Sequence, residues 1–137
     1  WKMVIISLIP NVLPLLLIAG FMGFSGIYLK ASTAIIFTIA FGIAVDDTIH
    51  FLSKFRLEIS KEKHWLYALK RTYISTGKAI VVTTLILCAG FLSLVFSEFL
   101  GTFYIGLLIS MTLVFAVLSD LVLLPVLIIL FYRKKKD

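Results

Sequence analysis

Residues 31–53, ASTAIIFTIAFGIAVDDTIHFLS, decide the fold. The stretch is long and apolar enough to cross a hydrocarbon core of about 30 Å as a helix, which needs about 20 such residues. It nevertheless carries two adjacent carboxylates, Asp46 and Asp47, and a histidine, His50. A charged side chain at the centre of a bilayer costs about 2.5 to 3.5 kcal/mol. The stretch therefore predicts a membrane helix whose acidic side faces protein or water.

The composition of the whole chain is that of a membrane protein. Of its 137 residues, 61% are hydrophobic and only 15% are charged, and the mean hydropathy is +1.13. A soluble domain carries many more charges. The single cysteine, Cys88, excludes an internal disulfide and is expected to be a packing residue. We predict an all-α membrane protein without a cofactor.

Four segments have the length and hydropathy of membrane spans, at about 3–27, 31–53, 79–97 and 103–131. The stretch at about 60–76 is too polar to span, but it places Leu66, Leu69 and Tyr73 on one helical face. This pattern predicts an amphipathic helix lying on the cytoplasmic face of the membrane. We expect residues 1–137 to form a single transmembrane domain of these five helices.

Basic residues predict the orientation of the spans. Seven lie between the second and third spans: Lys54, Arg56, Lys61, Lys63, Lys70, Arg71 and Lys78. Four more, RKKK at 133–136, follow the last span, whereas the opposite turns hold only Lys30 and Glu98. Both basic regions and both ends of the segment should be cytoplasmic. Because topology explains the net charge of +6, no nucleic-acid partner is expected.

The two acids lie five or six residues from Leu52 at the inner boundary, about 8 Å deep, which is too far for short side chains to reach the surface. Desolvation and mutual repulsion both disfavour their charged forms, so the pair can bind and release protons. Helical spacing puts Asp46 and His50 on one polar stripe and turns Asp47 toward a neighbouring face of small residues. His50 either relays protons to water or is an interfacial histidine without a special task.

Other polar residues of the spans are candidate partners of the pair. Thr83 and Thr84 enter the membrane to the same depth as the acids, and we expect one of them to hydrogen-bond Asp46 or Asp47 directly or through one water. Asp120 is a third buried acid, expected somewhat higher in the membrane. It either makes a structural hydrogen bond or takes a direct part in function.

The chain resembles a known family in four ordered blocks. It is similar to the last four spans of a half-repeat of the resistance-nodulation-division (RND) superfamily of exporters, particularly the MMPL-like branch, and that branch is similar to sterol-sensing domains. The blocks are SLIPNVLPLLLIAGFMGFSGIYL, FGIAVDDTIHFLSKFR, GKAIVVTTLILCAGFLSLVFSEF and SDLVLLPVLIIL. The resemblance implies a transporter of two six-span repeats with large extracytoplasmic domains, in which proton flow through buried acids drives export.

The resemblance also implies roles for particular residues. Asp46 and Asp47 match the proton-relay position of the family, and a hydroxyl of Thr83 or Thr84 matches its polar partner. Many relatives have tyrosine beside one aspartate, where this chain has a second aspartate. The ending FYRKKKD resembles a C-terminus, which favours the second half-repeat. We expect the other half-repeat and the extracytoplasmic domains to be the partners of this segment.

Two functions remain open. The first is the transmembrane portion of a proton-motive-force-driven exporter of lipids or other hydrophobic or amphiphilic compounds. It would lie in a bacterial inner membrane, with further partners in an oligomer or accessory proteins. The second is a lipid sensor or scaffold of the sterol-sensing type, which needs the fold but no proton cycling. Buried titratable acids favour the first.

Enzymatic and metal-binding functions fit the residues less well. An intramembrane aspartyl protease needs two aspartates from separate helices, which only Asp120 with Asp46 or Asp47 would supply, and its GxGD run is absent. A metal site of Asp46 and His50 lacks an evident third ligand. We therefore expect neither an enzyme nor a metal site.

Overall fold

The computed structural model describes residues 1–61 and 64–134. In these ranges the chain is helical and contains no strand, and all four long helices are long and apolar enough to cross a membrane. The predicted all-α membrane fold is confirmed. The helices are α1 (Lys2–Phe24), α2 (Ala31–Lys61), α3 (Trp65–Leu92) and α4 (Leu100–Lys134), with a 3₁₀ turn (Ser93–Phe96) extending α3.

Short connections make consecutive helices antiparallel, and α2 and α4 form the centre of the bundle. Each of these two helices contacts every other long helix, whereas α1 and α3 do not meet within the described residues. Two apolar clusters fill the interior. One surrounds Phe51, Phe55 and Leu124, and the other surrounds Ile36 and Leu108. The level between the two clusters is where polar side chains of three helices meet.

The predicted surface helix at about 60–76 is not a separate element. Helix α2 continues to Lys61, and α3 runs from Trp65 to Leu92 without a break. Of the predicted apolar face, Leu69 is buried in the Phe55 cluster, whereas Leu66 and Tyr73 are exposed. Trp65 stacks on Tyr132 with ring centroids 5.7 Å apart. Burial between helices thus replaces the expected burial in lipid at Leu69. The residues that lie outside the described ranges include three of the predicted cytoplasmic lysines: Lys63, Lys135 and Lys136.

Helix α1 contains two prolines, and a neighbouring helix completes its hydrogen bonding. Pro14 has no N–H, so the Pro10 carbonyl loses the donor that a helix normally supplies four residues later. The Ser119 hydroxyl of α4 donates to this carbonyl at 2.9 Å, in a buried contact. The bond fixes α4 against α1 at the polar level between the two apolar clusters.

Candidate functional site

A groove of about 830 Å³ lies between α2 and α3. Its α2 wall carries the residues that the sequence singled out, because a spacing of three or four residues brings them to one side of the helix. The α3 wall is of small, hydroxyl-bearing and apolar residues. The lining comprises Gly42, Ile43, Asp46, Asp47, His50 and Lys54 from α2, and Ser75, Thr76, Ala79, Ile80, Thr83, Ile86 and Leu87 from α3.

Both acids of the pair line this groove. The Asp46 side chain is 72% exposed, and its Oδ1 atom lies 3.7 Å from His50 Nε2. That distance is too long for a hydrogen bond but suits an ion pair when the imidazole is protonated. Asp47, expected on a different face, is half-buried and lines the same groove. The groove therefore holds two carboxyl groups and an imidazole on two adjoining turns of one helix, with Lys54 one turn further on.

The two threonines occupy different environments. Thr83 lines the groove, but its hydroxyl donates to the carbonyls of Ala79 and Ile80 on its own helix, each at 3.0 Å. The Thr84 side chain is buried away from the groove lining and has no hydrogen-bond partner within the described part of the chain. Neither threonine bonds an acid directly there: Thr83 satisfies its hydroxyl on the preceding turn of its own helix, and Thr84 does not line the groove that holds the acids. A bond through one water stays a prediction.

A buried polar cluster joins three helices next to the groove. The Thr48 hydroxyl oxygen of α2 lies 2.8 Å from Asn11 Oδ1 of α1 and 3.2 Å from Asp120 Oδ1 of α4. It also lies 2.9 Å from the Ala44 carbonyl oxygen. Asp120 is only 2% exposed, and its second oxygen has no partner in the described residues. We name Asn11, Thr48 and Asp120 the core triad.

The position of Asp120 corrects one expectation. It does not lie higher in the membrane than the pair, because its contact with Thr48 sets it at the level of Asp47. The depths of Asp120 and of the pair had been counted from the inner ends of the spans predicted by hydropathy, and those ends were wrong. Helix α2 continues to Lys61 and α4 to Lys134. Lys61 follows Thr48 by nearly as many residues as Lys134 follows Asp120, which is consistent with equal depths.

Sequence reasoning missed Asn11 and Thr48. Asn11 is the single asparagine of the chain and lies within an apolar span, a signal that marks polar residues facing a bundle interior. Thr48 directly follows the acidic pair, but one hydroxyl in a span is common and carries no such signal. The packing alone shows which helices face the Thr48 side chain.

Glu58 was also missed, and it pairs with cations next to the groove. Its side chain is 4% exposed and its carboxylate lies 3.2 Å from Lys54 Nζ, on the same helix, and 3.7 Å from Arg71 Nε, on α3. Lys54 also lines the groove. Lys54 thus belongs both to the ion pairs between α2 and α3 and to the lining of the groove that contains His50.

Four apolar helices around a buried polar level define a multi-pass α-helical membrane protein. The model of the MMPL family matches residues 3–136, nearly the entire chain, and the chain belongs to that family. It is 29% identical over 126 residues to a membrane protein of Methanocaldococcus jannaschii; the match covers 92% of this chain and 32% of the relative. The chain thus spans about a third of that relative's length. No solved structure matches it. Family membership makes the chain part of an RND/MMPL-type, transporter-related membrane protein.

Proposed function

We propose that the chain is the transmembrane portion of a proton-motive-force-driven RND/MMPL-type exporter of lipids or other hydrophobic or amphiphilic compounds. The observation that carries the proposal is the groove, in which Asp46 and Asp47 lie beside His50 in an otherwise apolar span. Such side chains are expensive in a membrane and are usually retained for ion or proton movement. MMPL membership supports transport as the process they serve.

Two adjacent carboxyl groups with different surroundings suit proton binding and release. Asp47 is half-buried, whereas Asp46 is largely exposed to the groove and lies near His50. The neutral acids are tolerated in the membrane, and the charged forms are stabilised by water or by the protonated imidazole. A proton taken up on one side and released on the other after a conformational change would couple the proton gradient to export.

The exposure of the groove favours a partner within the same transporter. A groove with a side chain as exposed as Asp46 (72%) cannot face lipid without the cost of a charged group in hydrocarbon. We propose that the other half-repeat covers the groove and leaves room for water. In this arrangement the protein lies in the cell membrane with both ends of the segment in the cytoplasm.

An enzymatic role is not part of the proposal. A protease of the aspartyl type needs two carboxyl groups directed at one water. Asp120 is buried in the core triad, while Asp46 and Asp47 line the groove between α2 and α3, so Asp120 and the pair do not open into one cavity. This separation supports proton handling rather than hydrolysis, and no cofactor is needed for it.

The proposal is tested in the full-length protein reconstituted in liposomes with an imposed pH gradient. Asp46→Asn, Asp47→Asn and the double variant keep the side-chain shape and remove the titratable group. We expect insertion and abundance to be retained and gradient-driven export of a fluorescent lipid to fall at least tenfold in the double variant. Glu98→Gln, which removes an exposed acid outside the groove, is the matched control and should export normally.

Gradient-driven export at the wild-type rate in the double variant would contradict the proton-relay role. A wild-type protein that binds lipid but exports none under any gradient would instead favour the sterol-sensing type of sensor or scaffold.

A further inference from the structure

We propose that Thr48 is a hydrogen-bond switch: it bonds α2 to both α1 and α4 when Asp120 is protonated, and to α4 alone when Asp120 is ionised. The core triad provides the two alternative acceptors, Asn11 and Asp120. The link from this switch to export rests on the proposed function above. The switch itself is a property of the bundle and is measured without transport.

The Thr48 hydroxyl has fewer protons than acceptors around it, so it must donate to one acceptor at a time. A threonine hydroxyl has one proton to donate, yet three oxygens surround Thr48 at 2.8, 2.9 and 3.2 Å. The orientation of the Asn11 amide is fixed, since its Nδ2 atom donates to the Ser7 carbonyl at 2.8 Å. Asn11 therefore presents its oxygen to Thr48 and accepts there.

With Asp120 protonated, every strong bond of the triad is made. The carboxyl O–H donates to the Thr48 oxygen, and the Thr48 O–H is free to donate to Asn11 Oδ1 at 2.8 Å. A continuous chain of donors then runs from α4 through α2 to α1. Each of the three side chains then has at least one partner, as the low dielectric of the interior favours, and only Asp120 Oδ2 among their oxygens has none within the described residues.

Ionisation of Asp120 reverses the Thr48 bond. The carboxylate has no proton to donate, and its Oδ2 atom has no other partner among the described residues. A hydrogen bond to a charged acceptor is about twice as strong as one between neutral groups. The Thr48 hydroxyl therefore turns to Asp120, and the Asn11 oxygen loses its donor. Helix α2 then keeps its bond to α4 and loses its hydrogen bond to α1.

The contact between α1 and α4 stays in place in both states. Ser119 donates to the Pro10 carbonyl, and this bond involves no titratable group. The change is therefore confined to the α1–α2 contact, which lies next to the turn of α2 that carries Asp46 and Asp47.

Asp47 directly precedes Thr48, which contacts Asp120, so it is the acidic side chain that adjoins the triad along α2. Helix α1 contributes only Lys2 at its start, and α3 carries its cations at and before Lys78, while its buried Cys88 belongs to the other apolar cluster. Two like charges at adjoining positions oppose simultaneous ionisation. A proton that leaves the groove acids thus favours the protonated state of Asp120 and with it the α1–α2 bond.

Infrared difference spectra of the full-length protein in lipid bilayers, recorded between acid and alkaline pH, test the switch. We expect a protonated carboxyl band that disappears in Asp120→Asn. We also expect an amide side-chain band that changes over the same pH range and disappears in Asn11→Leu. In Thr48→Val the pH-dependent change of the amide band should be lost, and Thr48→Ser should restore it.

Thr112→Val is the matched control, because Thr112 is equally buried and donates only to the Leu108 carbonyl of its own helix, at 2.7 Å. Its spectra should match the wild type. An amide band that does not move with the carboxyl band in the wild type, or that still moves in Thr48→Val, would overturn the switch. The wild-type spectrum alone decides the first outcome, even if a variant does not fold. A wild-type protein whose amide band changes with pH, but which shows no gradient-driven export, would count against the exporter function and not against the switch.

Discussion

Single side chains inside this bundle complete bonds that the backbone cannot make for itself. In hydrocarbon there is no water to take over an unsatisfied group, so each such contact matters to stability. Ser119 is the clearest case, since it donates to the Pro10 carbonyl that Pro14 leaves without a donor. The residue thus compensates on α4 for a proline on α1.

Ser119→Ala should lower the free energy of unfolding by about 1 kcal/mol, because the buried Pro10 carbonyl loses its donor. In a Pro14→Ala background the loss should be smaller, since the new backbone N–H at position 14 supplies that donor. Denaturation in mixed detergent micelles measures all four proteins of the cycle. Ser110→Ala is the control, as Ser110 donates within its own helix to the Gly106 carbonyl, at 2.8 Å. Equal losses in the two backgrounds would contradict the compensation.

At the scale of elements, α4 and the end of α3 approach each other closely at Gly106. A Cβ atom placed on Gly106 would lie 2.5 Å from the Phe91 carbonyl oxygen and 2.8 Å from Leu94 Cβ. Both neighbours belong to the last turn of α3 and the 3₁₀ turn that follows, so backbone would have to move. Glycine at this position allows the two elements to pack directly against each other.

Gly106→Ala should therefore destabilise the bundle by about 1 to 3 kcal/mol, the usual cost of overpacking. Gly101→Ala, on the same helix, meets nothing within 4 Å and should leave the stability unchanged or raise it slightly through helix propensity. Thermal denaturation of the two purified variants gives the comparison. If both variants unfold at the same temperature, α4 does not depend on this close contact.

At the scale of the whole molecule, the four antiparallel helices separate two ends. The connections that contain Lys30 and Glu98 lie at one end, and the start of α1, the end of α2 at Lys61, the start of α3 at Trp65 and the Lys134 end of α4 lie at the other. The basic residues are concentrated at the second end, which the positive-inside rule assigns to the cytoplasm.

Cysteine labelling in cells tests this orientation, in a background without other reactive cysteines. An impermeant maleimide should label Lys30→Cys and Glu98→Cys in intact cells, and should label His64→Cys only after permeabilisation. These three positions are exposed in the structure, so access to the reagent depends on the membrane side. Labelling of His64→Cys in intact cells would reverse the topology.

The sequence by itself determined the number of spans, the all-α class and the position of the acidic pair. Hydropathy and length are local properties, and a membrane enforces them on each segment separately. Asp46 and Asp47 stood out for the same reason, since their cost in a bilayer does not depend on which helix is next to them. The four ordered blocks around them indicated the MMPL family, and the family match over residues 3–136 confirmed it.

Only the tertiary structure decided which side chains meet. It showed that α2 and α3 continue beyond the predicted spans, where Glu58 of α2 is buried beside Arg71 of α3, a contact that no local pattern indicated. It also brought Thr48 and Asp120 together across 72 residues of chain, with Asn11 on a third helix. Such contacts depend on helix neighbours, rotation and axial offset, which packing of the whole bundle sets and which no periodicity within one segment records.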